Sequence, residues 1–206
     1  MLAALGTVVV TSLSGVMMPG PMFAVTLAKS YRSPWAGAQV SLGHAVIEVP
    51  LILIIYFGAA QFFQNTMVQL VLSVVGGGMI AWMGAGLFRA RKEVSLGGKD
   101  ASYSAFVAGI IMSGLNPFFL VWWVTVGSLL LMKFIASVQY QVLGLVLFVV
   151  VHWLCDLAWL FLVSFTVYRT HTFWGPRLQQ SVCLVLSFLL FFFAGWFIVS
   201  GLRSVI

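Results

Sequence analysis

Six long apolar stretches, separated by short polar segments, constrain the fold of this chain more than any other feature. A helix needs about 20 predominantly apolar residues to cross the hydrocarbon core of a bilayer. The stretches do not alternate apolar and polar residues as the strands of a membrane barrel do, so helices are favoured. The sequence therefore predicts an all-α membrane protein with six transmembrane helices, at about residues 2–28, 35–60, 67–88, 103–132, 141–167 and 181–202.

The composition agrees with a chain that has the bilayer as its solvent. Of its 206 residues, 62% are hydrophobic and only 7% are charged. Soluble domains have about 45–50% apolar and about 25% charged residues. The amino terminus lacks the basic flank of a secretory signal, so the first stretch is expected to remain as a span. Cys155 and Cys183 lie in separate stretches with no Cys-x-x-Cys motif, which argues against a disulfide scaffold or a thiol-redox carrier.

The formal net charge of +6 comes from basic residues placed between the apolar stretches, which argues against a nucleic-acid-binding patch. Lysine and arginine in short loops mark the cytoplasmic side of a membrane. Of the 10 basic residues, Lys133 and Arg203 fall on one side of the predicted topology. This distribution predicts both termini outside the cytoplasm. The remaining basic residues follow the first, third and fifth spans: Lys29, Arg32, Arg89, Arg91, Lys92, Lys99, Arg169 and Arg177.

Proline-containing motifs interrupt the first and fourth stretches. The first contains Met18-Pro19-Gly20-Pro21, and the fourth contains Gly114-Leu115-Asn116-Pro117. Proline removes a backbone donor and clashes with the preceding turn, so each motif predicts a break or a kink in its helix. Non-helical backbone at membrane depth is tolerated only where protein or water covers it, which favours discontinuous helices beside a binding site over simple kinks.

Two further stretches each carry a histidine and an acid four residues apart. His44 and Glu48 lie in the second stretch, and His152 and Asp156 lie in the fifth. On a helix this spacing puts both side chains on one face. An ionisable side chain inside a span costs roughly 3 kcal/mol, so it usually has a functional reason. The alternative is that each histidine and acid satisfy each other within their own helix.

The order of these features repeats: a broken helix, a helix with a His-x-x-x-acid pair, and a plain helix. Three spans is an odd number, so the second copy crosses the membrane in the opposite sense, as in transporters with inverted repeats. We therefore predict a single transmembrane transporter domain over residues 1–206. Repeat 1 covers about 1–88, a cytoplasmic connector about 89–102, and repeat 2 about 103–206.

The chemistry of these residues suggests a transport site near mid-membrane. Buried carboxylates can bind either a proton or a cation, and histidine titrates near neutral pH. The amino terminus of a broken helix suits a carboxylate group. Together these groups would hold a zwitterion, with the acids toward its ammonium group. We predict substrate and proton binding by His44, Glu48, His152 and Asp156, and substrate contacts at the breaks by Pro19, Gly20, Pro21, Asn116 and Pro117.

Several motifs make the chain resemble the LysE/RhtB family of amino-acid exporters. They are Met18-Pro19-Gly20-Pro21, Gly37, Gly43-x4-Glu48, Gly76-x7-Gly84, Gly109 and Asn116-Pro117. The resemblance covers nearly the whole chain and implies a six-span inner-membrane exporter driven by the proton gradient. The family commonly has aspartate at the Glu48 position and a lysine where this chain has Phe118. His44 and His152 are not part of the family motif.

Other functions stay open at this point. Two histidines and two carboxylates could also be ligands of a transition metal, so the alternative is a divalent metal cation exporter that uses His44, Glu48, His152 and Asp156. An intramembrane zinc protease is disfavoured because His-Glu-x-x-His is absent from the sequence. We expect no enzymatic activity and no cofactor. The expected partners are an amino acid, protons and the lipid bilayer, without nucleic acid, and a homodimer is compatible with so small a transporter. The phenylalanines of the sixth stretch are expected to face lipid or to pack.

Overall fold

The computed structural model describes residues 2–17, 20–58, 65–94, 103–173 and 176–203. Within these ranges the regular secondary structure is entirely helical, which confirms the all-α prediction for this part of the chain. The helices are α1 (Leu2–Val16), α2 (Pro21–Ser30), α3 (Ala36–Tyr56), α4 (Thr66–Val94), α5 (Ala105–Gly114), α6 (Pro117–Trp122), α7 (Ser128–Ala136), α8 (Gln141–Thr170) and α9 (Pro176–Arg203). A π-helical turn, Trp123–Gly127, joins α6 to α7, and a short 3-10 helix, His171–Phe173, follows α8.

Five helical segments of the described chain are long and apolar enough to cross a membrane. The bent pair of α1 and α2 would make a sixth span. The chain is therefore a multi-pass membrane protein with five or six candidate spans. The five segments are Ala36–Tyr56, Thr66–Gly86, Phe119–Ala136, Gln141–Phe173 and Gln180–Arg203.

A sharp change of direction separates α1 from α2. The first helix ends at Val16, the second begins at Pro21, and their axes differ by 74°. Gly20 is the N-cap of α2 and has extended backbone angles, while Pro21 occupies the first turn, where its missing N–H costs nothing. Pro19, which we predicted to be part of this break, lies outside the described residues.

The second interruption falls in the fourth predicted span. Helix α5 ends at Gly114 and α6 begins at Pro117, so Leu115 and Asn116 lie between two helices. The side-chain oxygen of Asn116 accepts a hydrogen bond from the backbone N–H of Phe119 at 3.4 Å, which caps the first turn of α6. The buried Asn116 side chain is thus held at the start of the second helical segment.

The third predicted span continues further than its apolar pattern indicated. Helix α4 runs to Val94, so the first residues of the predicted connector 89–102 are helical. Helix propensity does not stop where hydropathy falls, because arginine, lysine and glutamate are good helix formers. At the other end Asn65 caps the helix by accepting hydrogen bonds from the N–H groups of Met67 and Val68, at 2.9 and 3.3 Å.

Two apolar clusters make up most of the buried interior of the described residues. The Met112 cluster contains Val16, Ala24, Val25, Ala36, Val40, Ile80, Met83, Ala105, Ala108, Met112, Leu160, Leu186, Leu190, Ala194 and Phe197. The Trp123 cluster contains Val8, Leu51, Ile52, Ile55, Leu120, Trp123, Leu130, Leu131, Phe134, Ile135, Leu145 and Phe148.

The order of these residues along the helices places a polar layer between the clusters. Helix α3 passes from the Met112 cluster at Val40 to the Trp123 cluster at Leu51, and His44 and Glu48 lie between them. Helix α8 passes in the opposite sense, from Phe148 in the Trp123 cluster to Leu160 in the Met112 cluster, with His152 and Asp156 between. Helix α1 likewise places Ser12 between Val8 and Val16.

Helices α3 and α5 pack backbone against backbone through two glycines. A Cβ atom added at Gly43 would lie 2.0 Å from the carbonyl oxygen of Phe106, and one added at Gly109 would lie 2.1 Å from that of Val40. Only residues without a Cβ permit such an approach, which is a recurrent device in membrane helix packing. The close approach brings α5 within hydrogen-bond distance of the polar residues on α3.

Candidate functional site

The four ionisable side chains predicted from spans two and five lie together in the polar layer. Their exposed fractions are 3% for His44, 1% for Glu48, 4% for His152 and 3% for Asp156. Helix α3 contributes the first two and helix α8 the other two, each pair projecting from one helical face because of its four-residue spacing. The structure therefore brings two sequence-distant pairs into one buried cluster.

Glu48 is the centre of this cluster. Its Oε1 atom lies 2.9 Å from Nε2 of His44 and 3.2 Å from Nε2 of His152. The Oδ2 atom of Asp156 is further away, 3.7 Å from the same nitrogen of His44 and 3.8 Å from that of His152. His152 is thus closer to the acid of the other helix than to its own. The alternative that each pair is satisfied within its own helix does not describe this arrangement.

Two serines from the interrupted spans bind the opposite ring nitrogens of the histidines. The Oγ atom of Ser12 in α1 lies 2.6 Å from Nδ1 of His152, and that of Ser113 in α5 lies 2.5 Å from Nδ1 of His44. Both serines are buried. Each imidazole is therefore held between a serine and Glu48, and the polar layer connects four helices.

Aromatic rings fix the orientation of the two imidazoles. The ring of Phe148 stacks on that of His152 with an interplanar angle of 4° and a centroid distance of 5.8 Å. Trp123 meets His152 edge-on at 4.9 Å, and Phe119 meets His44 edge-on at 5.0 Å. Tight packing of this kind restricts the rings to one rotamer and keeps the nitrogens pointing at their partners.

The cluster borders a cavity of about 130 Å³. Pockets for drug-sized ligands measure about 300–1,000 Å³, so this one suits a small solute. Among the described lining residues there is no lysine or arginine. The lining is Ser12, Gly15, Val16, Gly20, Pro21, Met22, Phe23, His44, Glu48, Asn116, Phe119, Trp122, Trp123, His152, Asp156, Phe193 and Phe197.

Two buried carboxylate oxygens of residues that line this cavity have no hydrogen-bond donor among the described residues. They are Oε2 of Glu48 and Oδ2 of Asp156. A buried acceptor without a donor is costly and calls for an explanation, such as an exchangeable ligand. The site can therefore accept hydrogen bonds from a small cationic group.

Most of the predicted site residues surround this one cavity. Gly20, Pro21 and Asn116 line it together with the four ionisable residues. Pro19 lies outside the described residues, and Pro117 begins α6. The sequence interpretation did not find Ser12 and Ser113, which look like ordinary small residues in apolar helices.

Phe193 and Phe197 of α9 also line the cavity, whereas we expected the phenylalanines of this span only to pack or to face lipid. Their four-residue spacing puts both rings on one helical face, and this was the available signal. Trp122 and Trp123, next to the second break, complete the aromatic part of the wall.

Three of the cluster residues also have the geometry of a cation site. One ligand atom from each of His44, Glu48 and Asp156 can be chosen so that all three lie within 4.8 Å of one another. Imidazole nitrogen and carboxylate oxygen are suitable ligands for several divalent metals. However, Nε2 of His44 is already engaged with Glu48 at 2.9 Å, and a metal would have to replace that hydrogen bond.

Comparison with protein families decides the class of protein. The family model described as LysE type translocator matches residues 13–201, which is nearly the whole chain. This chain belongs to the LysE type translocator family. Comparison with curated proteins and with solved structures gave no match.

Membership in the LysE family accounts for the main features of the structure. The chain is a multi-pass membrane protein that translocates small molecules, and members of this family are transporters and not enzymes. Two of the glycines on which the sequence resemblance rests, Gly43 and Gly109, have a packing role, because each lies against a backbone carbonyl group of the facing helix.

Proposed function

We propose that this LysE family member exports amino acids, or close derivatives of them, across the plasma membrane in exchange for protons. The observation that supports this most strongly is a pair of buried carboxylate oxygens, on Glu48 and Asp156, that have no hydrogen-bond donor among the described residues and belong to the wall of a small cavity. Both acids lie beside two histidines that can bind or release a proton. Such a site can hold a proton or an ammonium group, and the two compete.

The ammonium group of the substrate would bind between the two acids. A primary ammonium has three donors, and the oxygens of Glu48 and Asp156 that lack a hydrogen-bond donor are acceptors beside the same cavity. The negative charge of these acids stabilises the protonated form of the histidines, and a bound cation that neutralises the acids takes that stabilisation away. Substrate entry would then release a proton, which is the basis of antiport.

The carboxylate of the substrate would bind near the amino terminus of α2. Gly20 and Pro21 line the cavity, and no side chain caps this helix end. The first N–H groups of a helix and its dipole favour a negative charge there. Asn116, which also lines the cavity, lies at the corresponding interruption of the second half. A zwitterion would thus bridge the two interruptions and the two acids.

The helix directions support an inverted repeat. Helix α1 runs from the Trp123 cluster to the Met112 cluster, whereas α5 with α6, its counterpart, runs the other way. The same holds for α3 and its counterpart α8. We propose repeats at about 1–88 and 103–206 within one transporter domain. By the distribution of basic residues the Met112 cluster faces the cytoplasm and both termini lie outside. A homodimer stays a prediction.

Exchange in reconstituted vesicles tests this function. Vesicles that contain the protein and a mixture of the twenty common unlabelled amino acids are diluted into buffer with one labelled amino acid at a time. We expect label to accumulate transiently for at least one of them, and a pH gradient to change the amplitude until a protonophore removes it. Asp156→Asn should abolish the effect of the gradient, since it removes one of the two titratable acids. The absence of counterflow for every amino acid would contradict the proposal.

A divalent metal is the second candidate substrate, because three potential ligand atoms lie within 4.8 Å of one another. The same vesicles loaded with a metal-sensitive dye separate the two cases. Saturable entry of zinc, cadmium or cobalt that is lost in Asp156→Asn, together with no amino-acid counterflow, would favour metal export. Counterflow of an amino acid that is unaffected by these metals would exclude it.

A further inference from the structure

We propose that Ser113 is a positioning residue: it fixes the tautomer of His44, so that His44 and Glu48 can stay in contact only while they share a proton. The proposal about the tautomer does not depend on the proposed function, and only its consequence for transport does. Ser113 stands on α5, one residue before the end of that helix, and is 1% exposed. It belongs to no motif in the sequence, and its importance follows from its two hydrogen bonds.

The first hydrogen bond uses the only hydroxyl hydrogen of Ser113. Its Oγ donates to the backbone carbonyl of Gly109, one helical turn earlier, at 2.7 Å. A serine hydroxyl has a single hydrogen. Ser113 therefore can only accept in its second contact, which is with Nδ1 of His44 at 2.5 Å.

The second bond consequently fixes the tautomer of His44. Because Ser113 accepts, Nδ1 of His44 has to carry a hydrogen. In a neutral ring the other nitrogen, Nε2, then has only a lone pair. That nitrogen faces Oε1 of Glu48 at 2.9 Å, a distance at which two lone pairs repel each other. The contact needs one further proton, which resides on Nε2 or on Glu48.

Loss of that proton would therefore open the contact between His44 and Glu48. Without Ser113 the contact would not open, because a neutral ring with its hydrogen on Nε2 could keep donating to Glu48. Ser113 excludes this tautomer because it accepts a hydrogen bond from Nδ1. It thereby converts the release of one proton into a structural change at Glu48, the acid that also binds His152 at 3.2 Å.

The surrounding groups leave few other sources of a proton. His44 faces Glu48 on its own helix and His152 and Asp156 on α8. The helices α5 and α6, which also pack here, contain no titratable side chain in their sequences. Ser12 contacts the other histidine, but it has no second hydrogen bond within the described part of the chain that would fix its hydroxyl hydrogen, so the same argument does not fix the tautomer of His152.

Ring-nitrogen spectroscopy tests the proposal without any substrate. The protein is labelled with 15N-histidine, reconstituted in lipid bilayers and studied by solid-state NMR over a range of pH, and the His44 signals are assigned by their absence from His44→Gln. In the wild type we expect Nδ1 of His44 to stay protonated throughout, with no hydrogen on Nε2 at high pH. A neutral ring protonated at Nε2 would overturn the proposal, even if no Ser113 variant can be purified.

Variants extend the test. Ser113→Ala should release the tautomer, so that the neutral ring carries its hydrogen on Nε2, and Ser113→Thr should restore the wild-type signals because threonine keeps the hydroxyl. Ser187→Ala is the matched control, since Ser187 is also buried and, among the described residues, bonds only to the carbonyl of Cys183 in its own helix. An unchanged His44 tautomer in Ser113→Ala would contradict the positioning role.

The transport consequence is measured separately. In Ser113→Ala the deprotonated state can form the contact with Glu48 that it lacks in the wild type, so the pH midpoint of exchange should move to lower pH. A hydrogen bond of ordinary net strength corresponds to about one pH unit. If the wild-type spectrum is as predicted but no amino acid gives counterflow, the proposed function is refuted and the proposal about Ser113 stands. If counterflow is found but the neutral His44 ring carries its hydrogen on Nε2, the proposal about Ser113 is refuted and the proposed function stands.

Discussion

Replacement of Glu48 by glutamine is expected to lower amino-acid exchange at least about 100-fold. Removing one partner of a buried ionic network costs about 3–5 kcal/mol, and each 1.36 kcal/mol on a barrier is tenfold in rate. Oε1 of Glu48 is the atom that both histidines approach, at 2.9 and 3.2 Å. Glutamine is nearly the same size but cannot bind and release a proton. Counterflow in proteoliposomes with the best substrate measures the loss.

The variant needs a control for folding, because Glu48 is fully buried. Size-exclusion chromatography should show Glu48→Gln as a monodisperse species like the wild type, since an amide has both a donor and an acceptor and can still hydrogen-bond to His44. Glu48→Asp restores the charge one methylene group shorter and should recover part of the exchange. Wild-type rates and an unchanged pH dependence in Glu48→Gln would show that the cluster has no part in transport.

Gly43→Ala is expected to lower the stability of the protein strongly. The added methyl group would lie 2.0 Å from the carbonyl oxygen of Phe106, and neither backbone can move without separating α3 from α5. Overpacking typically costs about 1–3 kcal/mol when side chains can adjust, and a clash with backbone should reach or exceed that range. For a chain of this length we expect the melting temperature to fall by about 5–10 °C. A thermal-shift assay in detergent measures this.

Gly78→Ala is the matched control, because nothing lies within 4 Å of a Cβ atom at that position. Alanine also favours a helix by about 1 kcal/mol over glycine, so Gly78→Ala should equal the wild type or exceed it slightly. Equal melting temperatures for the two variants would show that α3 and α5 do not pack closely in the bilayer.

Much of the fold follows from hydropathy alone. An apolar stretch of 20 or more residues has few alternatives to a helix, so the segments that became α3, α8 and α9 were predictable to within a few residues. The ends are less determined. Helix α4 continues to Val94 because charged residues with high helix propensity extend it beyond the apolar stretch. The apolar stretch predicts which part of the helix lies in the bilayer and does not predict where the helix ends.

The candidate site was predictable in its residue types but not in its partners. The spacing of His44 and Glu48, and of His152 and Asp156, specifies one face of each helix. It does not specify how the two helices are rotated against each other. The bond between Glu48 and His152 depends on that rotation, and so the closer partner of His152 was not predictable.

The serines of the site illustrate a different limit. Ser113 in α5 and Ser187 in α9 both bond back to a carbonyl one turn earlier, and nothing in their local sequence tells them apart. Only the approach of α3, which Gly43 and Gly109 allow, puts a histidine beside Ser113. Its position in the site is thus a property of tertiary packing.

The exchange of a proton for a substrate at Glu48 is tested most directly by counting protons. Purified protein in weakly buffered detergent solution receives the amino acid that gives the strongest counterflow, and a pH indicator records the protons released per molecule bound. We expect about one proton per bound amino acid for the wild type and none for Glu48→Gln. Stoichiometric binding to the wild type with no proton released would contradict the proposed coupling.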